Sequence, residues 1–234
     1  MQGVTKATSA VLEVIKSYKE LELYYLVGGT GLSIQINHRL SEDIDLFFYN
    51  SYPGVKIKPP GINEIYKKLK KDFKTIKVEN STDMQMRLLV DGVKMDIYSE
   101  HRLHRTNDYK MFGNIRLPSV KALIGMKLVS LGFRENWRDM YDLYCLAKSH
   151  NDIEFFEGYK MIVSSAYLGS KAKDKKTKTY NGLVASRLKN IEYIEMVRDD
   201  SKLEDLKPRY DPSTQDVLDI FKGFGKIDVN TNIP

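Results

Sequence analysis

Three groups of residues have types and spacing suited to chemistry on a phosphate-bearing substrate. The first lies in Leu26 to Phe47, LVGGTGLSIQINHRLSEDIDLF. Gly28 and Gly29 precede a helix-like segment, where exposed N–H groups and the helix dipole suit a phosphate. Thr30 is the natural N-cap or hydroxyl contact there. Asp43 and Asp45 are two residues apart, so on a strand both side chains leave one face while Ile44 and Leu46 take the other. Two hard oxygen ligands on one face match the demands of Mg²⁺. Taken singly, the glycines also fit an ordinary turn and the aspartates a solvated strand end.

The second group is Asp96, on a run where Val93, Met95 and Ile97 alternate with Lys94, Asp96 and Tyr98. A solvent-facing aspartate explains it equally well in isolation. The third is KLVSLGFRENWRDMYD, Lys127 to Asp142. On one continuous helix Lys127, Arg134 and Arg138 fall within a narrow arc, with Asp142 at its edge. Gly132 and Asn136 equally suit a break between two helices, which removes the angular argument but lets the residues converge. An exposed stripe with an Arg138–Asp142 pair at i, i+4 is the structural alternative.

These residues need elements to hold them. Residues 5 to 20 read as a helix with a stripe of Val11, Leu12, Ile15 and Tyr18, packing on a sheet. Tyr24 to Val27 and Ile44 to Phe48 read as strands, with a helix from Thr30 to near His38 between them. Tyr49 to Gly61 is a Pro/Gly loop and Ile62 to Lys71 a short helix. Phe73 to Val78 and Met84 to Tyr98 read as strands, the latter folded at Asp91-Gly92, a strong hairpin signal. His101 to Arg116 reads as a polar connection; His101 and His104 have no further Cys or His nearby and are not assigned a metal. Pro118 and Ser119 mark a helix start and a boundary. Helices are expected over Asp152 to Tyr167, Leu183 to Val197 and Thr214 to Phe221.

The order strand, Gly-Gly-Thr, helix, Ser-Glu-Asp-Ile-Asp, apolar strand resembles the first motif of polymerase-β-like nucleotidyltransferases. With Arg39 and Ser41 ahead of Glu42, it is similar to the AbiEii and MenT-type nucleotidyltransferase toxins. Lys127, Arg134, Arg138-Asp139, and Asp142 followed by leucine resemble the second motif of that family, and the likeness runs from about Val27 to about Leu146. Gly-Gly-Thr departs from the Gly-Ser common in the wider superfamily, but a threonine hydroxyl can make the same bond.

The resemblance implies roles. Gly28, Gly29 and Thr30 would hold a nucleotide triphosphate. Asp43 and Asp45 would carry Mg²⁺, or Mn²⁺, with Asp96 as third carboxylate. Lys127 would contact the phosphates, and Arg134 and Arg138 would add phosphate or substrate contacts. Asp139 and Asp142 would orient the arginines or take part directly.

Composition sets outer bounds. The 234 residues are 42% hydrophobic, enough for a core, with a formal charge of +6 compatible with a polyanionic partner. Cys145 is the single cysteine, which excludes an intramolecular disulfide and suits a reducing cytoplasm. No run reads as a signal peptide or membrane span. Lys67, Lys68, Lys70 and Lys71, and the lysines between Lys171 and Lys178 beside Tyr180, read first as solvated surface and second as RNA contacts.

The expectation is therefore a mixed α/β polymerase-β-like nucleotidyltransferase core over residues 1–117, then a helical domain over 118–234 that completes the active-site cleft. The enzyme would move an NMP from an NTP to an acceptor hydroxyl, by resemblance the 3′ end of tRNA, as a toxin with a cognate antitoxin. A small-molecule or protein acceptor, and a non-catalytic nucleotide- or partner-binding module, are the rival readings. Asp43→Ala and Lys127→Ala are each expected to abolish activity without unfolding the protein.

Overall fold

Alternation of apolar residues along short β-prone runs builds a sheet with one oily and one polar face. The computed structural model describes residues 1–49, 57–100, 103–162 and 187–224, which form two compact units, Met1–Val120 and Lys121–Pro234. In the first unit, helix α1 (Lys6–Ile15) is capped by Thr5, whose side chain accepts from Thr8 N, and a 3-10 turn follows at Lys19–Leu21. Strand β1 (Tyr24–Val27) leads into α2 (Gly28–Ile36), which stops at Asn37 in the left-handed conformation, φ 48°. Next come β2 (Ile44–Tyr49), α3 (Ile62–Asp72), β3 (Ile76–Ser81), β4 (Gln85–Val90) and β5 (Val93–Glu100). The unit closes with β6 (Tyr109–Phe112) and β7 (Ile115–Pro118).

The seven strands form one mixed sheet in the order β3-β4-β5-β2-β1-β7-β6. β1 runs antiparallel to β2, β2 parallel to β5, and β1 parallel to β7. Tyr24, Leu26, Ile44, Leu46, Met95 and Ile97 share the buried core with Val11, Leu12 and Ile15 of α1 and Ile65 and Leu69 of α3. The expected stripe of Val11, Leu12, Ile15 and Tyr18 is buried throughout. Truncating a fully buried member such as Leu12 to Ala removes about 2–5 kcal/mol. Because direction alternates, Tyr25, Asp45, Phe47, Asp96 and Tyr98 occupy the opposite face.

Asp91 and Gly92 both have positive φ, 45° and 83°, so the two-residue turn matches the twist of the flanking strands. Two expectations need correction. The segment to Arg116 is not all connection: β6 and β7 form a hairpin turning at Gly113, φ 60°. β6 is an edge strand with Lys110 and Met111 exposed, so it lacks the alternation that marks a half-buried strand. β3 lies at Ile76–Ser81 rather than from Phe73, because an exposed edge strand takes its limits from pairing with β4.

In the second unit, helices α4 (Val120–Phe133), α5 (Trp137–Ala147) and α6 (Asp152–Ile162) are followed by α7 (Ile191–Val197), α8 (Ser201–Glu204) and α9 (Thr214–Lys222). α4 and α6 touch backbone to backbone. A Cβ on Gly125 would lie 2.1 Å from the Gly158 carbonyl oxygen. Phe155 of α6 meets Phe221 and Phe224 at ring separations of 6.3 and 5.1 Å, and a Ser213–Asp216 capping box starts α9. No helix among the described residues is long and apolar enough to cross a membrane. The lysines between Lys171 and Lys178, Tyr180 and His101 lie outside the described residues.

Candidate active site

β1 delivers the chain to the sheet end, where α2 starts two residues earlier than the pattern suggested, at Gly28. Gly28 has φ 66°, and a Cβ there would lie 2.1 Å from Asp45 Oδ2. A side chain at this position would therefore be strained and would collide with the carboxylate. A Cβ on Gly29 would similarly approach Arg39 Nη2 to 2.5 Å. Arg39, which carries no role in the motif reading, is buried here, with Nη1 donating to the Leu40 carbonyl at 3.0 Å.

Thr30 is not the N-cap. That position belongs to Val27, which has no side-chain cap bond. The Thr30 hydroxyl is buried, 2.8 Å from Ser41 Oγ, and donates to the Asp43 carbonyl, tying α2 to the approach of β2. The start of α2 thus has no capping side chain and keeps the polarity that favours an anion.

Asp45 pairs in register with Val27 on one side and Asp96 on the other, so the two carboxylates are neighbours on the polar face. Asp43 sits just before β2. Asp96 is engaged: Arg87 Nε donates to Oδ1 at 3.0 Å and Nη2 to Oδ2 at 3.0 Å, while Gln85 Nε2 donates to Oδ1 at 2.9 Å. The bond to Asp96, then its charge, then burial, and lastly the fields of Glu79 and Asp45, set Arg87, whose net pKa is raised above the usual guanidinium value. Arg87 was missed, yet its position was readable. A two-residue turn at Asp91-Gly92 pairs Val90 with Val93 and hence Arg87 with Asp96.

Among the described residues no three His, Cys, Asp or Glu side chains gather as a metal site. Both Asp96 oxygens accept from Arg87, while Asp96 remains paired in register with Asp45. Asp43 and Asp45 still fit Mg²⁺, which commonly takes one or two carboxylates and completes its shell with water and substrate phosphate.

The second unit resolves the choice between one helix and two. Asn136 caps α5, its side chain accepting from Arg138 N at 3.0 Å, so α4 and α5 are separate and the single-face arc is absent. Lys127 and Arg134 nevertheless converge with Asp139 and Asp142. Lys127 Nζ lies 2.7 Å from Asp139 Oδ1 and 2.6 Å from Asp142 Oδ2. Arg134 Nε donates to Asp139 Oδ2 at 2.6 Å. Lys127, Asp139 and Asp142 are buried, whereas the Arg134 side chain is 58% exposed. Burial pushes the Asp139 carboxyl up, but the Lys127 charge and the Arg134 bond outweigh it and hold it below the ordinary value. Arg138 Nε donates to the Lys202 carbonyl at 2.9 Å.

The family of the nucleotidyl transferase AbiEii toxin, type IV toxin–antitoxin system, matches residues 15–219, spanning β1 through α9 and both charged groups. The fold is thus that of a nucleotidyltransferase. Within that class, the chain belongs to the AbiEii toxin family. It is 29% identical over 156 residues to aq_aa25, an uncharacterized protein of Aquifex aeolicus, covering 64% of this chain and 70% of that protein. The structure is similar to JHP933 from Helicobacter pylori, with TM-score 0.48 and 16% identity over 96% of this chain and 94% of that one. It is also similar to MenT4, a nucleotidyltransferase toxin from Mycobacterium tuberculosis, with TM-score 0.47 and 13% identity over 96% and 85%.

Proposed function

We propose that the protein transfers an NMP from an NTP to the 3′ end of tRNA, depends on Mg²⁺, and acts in the cytoplasm as the toxin of a pair with a cognate antitoxin. One observation carries the reading: in a chain of this family, the Asp45 carboxylate rests against Gly28 at an uncapped helix start. A phosphate-favouring dipole and a hard anionic ligand then flank one small space, an arrangement suited to a triphosphate with its cation.

In this scheme Gly28 and Gly29 let backbone N–H groups approach the β- and γ-phosphates, and Thr30 acts through its bond to Asp43 by fixing the helix start. Asp43 and Asp45 hold the cation, for which Mn²⁺ could substitute. When bound, the cation neutralises phosphate charge and eases deprotonation of the acceptor hydroxyl. Arg87 exchanges Asp96 for an incoming phosphate, which releases Asp96 as the third carboxylate. Arg134, the outward member of the Lys127 cluster, offers the more accessible cation for phosphate, while Lys127 fixes Asp139 and Asp142. Catalysis is then mainly positioning and charge neutralisation.

The test is incubation of the purified protein with Mg²⁺, total tRNA and each labelled NTP in turn. Label on tRNA that disappears in Asp45→Asn supports the reading and identifies the nucleotide. NTP turnover that labels only a small hydroxyl compound or a protein replaces tRNA as the acceptor. No turnover with any NTP leaves a nucleotide-binding module.

A further inference from the structure

Two residues beyond each carboxylate, on the same face of the sheet, stands an aromatic ring. Phe47 follows Asp45 on β2 and Tyr98 follows Asp96 on β5; the strands are parallel and in register, so Phe47 pairs with Tyr98 as Asp45 pairs with Asp96. The ring centroids are 5.5 Å apart at an interplanar angle of 57°. Both rings are half-buried, although the apolar core lies on the other face. Behind them the buried Tyr49 ring lies 6.4 Å from Phe47 and 5.0 Å from Tyr25. Arg116 stacks over Tyr25 at 5.3 Å, and Arg105 Nε donates to the Tyr25 hydroxyl at 3.1 Å.

We propose that Phe47 and Tyr98 form a stacking platform for the terminal nucleobase of the acceptor. The inference rests on the nucleotidyltransferase reading and specifies the other substrate of that site. Direction along the sheet supplies the argument. The glycines lie past the end of β1, Asp45 pairs with the last β1 residue, Val27, and Phe47 pairs further inward with Tyr25. A triphosphate anchored at the glycines, with its α-phosphorus at the carboxylates, directs the leaving pyrophosphate toward the helix start. In-line displacement then brings the attacking hydroxyl from the opposite side, over the two rings. A two-residue step along a strand is about 7 Å, enough for one ribose between the reacting oxygen and a stacked base.

The flat rings suit a nucleobase better than a sugar, and the flank also carries the buried Glu100, paired with Tyr49. Aromatic faces accept any base, and the nearby cations are arginines. In the reaction the acceptor 3′ oxygen bonds to the α-phosphorus as the α–β bridging bond breaks. Pyrophosphate leaves and the hydroxyl proton is lost to a base or water.

The experiment compares transfer to intact tRNA with transfer to tRNA whose 3′-terminal ribose lacks its base, using the native protein, Phe47→Leu, Tyr98→Leu and Tyr98→Phe. Loss of stacking is expected to lower kcat/KM about tenfold to hundredfold for the base-less end in the native protein. The leucine variants should show a comparable loss on intact tRNA, discriminate little between the two ends, and keep native NTP affinity. Tyr98→Phe keeps a ring at this position and should lose far less on intact tRNA than Tyr98→Leu. Equal use of both ends by the native protein, or unchanged kcat/KM in both leucine variants, overturns the platform. Transfer exclusively to a non-nucleic-acid acceptor overturns it while nucleotidyl transfer stands, whereas absence of NTP turnover in the native protein overturns both.

Discussion

Asp45 and Asp139 are both aspartates near cationic or helix-terminal partners, but their surroundings oppose each other. Asp45 is half-buried on a strand face beside Gly28 and Asp96. Asp139 is 1% exposed, fixed by Lys127 and Arg134, with Asp142 completing the cluster at 0%. The N-terminal group keeps carboxylates within reach of solvent, where an ion or phosphate can meet them. In the C-terminal group two cations meet two carboxylates and the inner three charges are sealed from water. A buried charge that loses its partner costs far more than one facing solvent. On the proposed reading, Asp43 and Asp45 are therefore expendable for folding and serve the chemistry, whereas the buried Lys127, Asp139 and Asp142 are needed for folding.

That contrast can be broken most directly at Asp45. Asp45→Asn is expected to lower NTP turnover by about 10² to 10³-fold while leaving unfolding stability within about 0.5 kcal/mol of native. A parallel loss of stability would show that Asp45 is structural. Lys127→Met, by contrast, leaves Asp139 and Asp142 short of compensation and should destabilise the second unit by about 3–5 kcal/mol. This changes the expectation drawn from sequence that removing Lys127 leaves the fold intact. Trp137, the single tryptophan, is buried at the start of α5 and reports unfolding of that unit by fluorescence. Native stability in Lys127→Met would mean the cluster is functional rather than structural.

Gly28→Ala tests the contact between the helix start and the carboxylate. Its left-handed backbone costs about 1–2 kcal/mol with alanine. The displaced Asp45 should lower turnover about 10²-fold, with stability falling far less than in Lys127→Met. Near-native turnover would show that Asp45 need not rest against Gly28.

Acidification gives the smallest effect. The folded Asp139 value is depressed, so its contribution is present above the ordinary aspartate value of about 3.9 and is lost as pH falls through and below it. Trp137 fluorescence during denaturation at successive pH values should show the second unit weakening across that range. The same titration of Asp139→Asn should be flatter.

Several features follow from sequence because backbone geometry is local. The strand period places Ile44 and Leu46 in the core and Asp45 on the opposite face. The Asp91-Gly92 turn fixes register across its hairpin, which is enough to set Arg87 opposite Asp96. The stripe of α1 is legible because a buried helix face repeats every three to four residues. β6, with no repeating apolar pattern, was illegible for the same reason.

Which strands lie side by side is not local. The parallel pairing of β2 with β5 brings Asp45 beside Asp96 and Phe47 beside Tyr98, and no turn connects those strands directly. Likewise, the arginines, lysine and aspartates of Lys127–Asp142 were visible as charges, but their roles depended on how α4 and α5 pack. Burial decided that Lys127 is enclosed and Arg134 reaches water. The chain itself supplied residue types and period, whereas tertiary packing decided the solvation of each charge, because desolvation depends on neighbours far away in sequence.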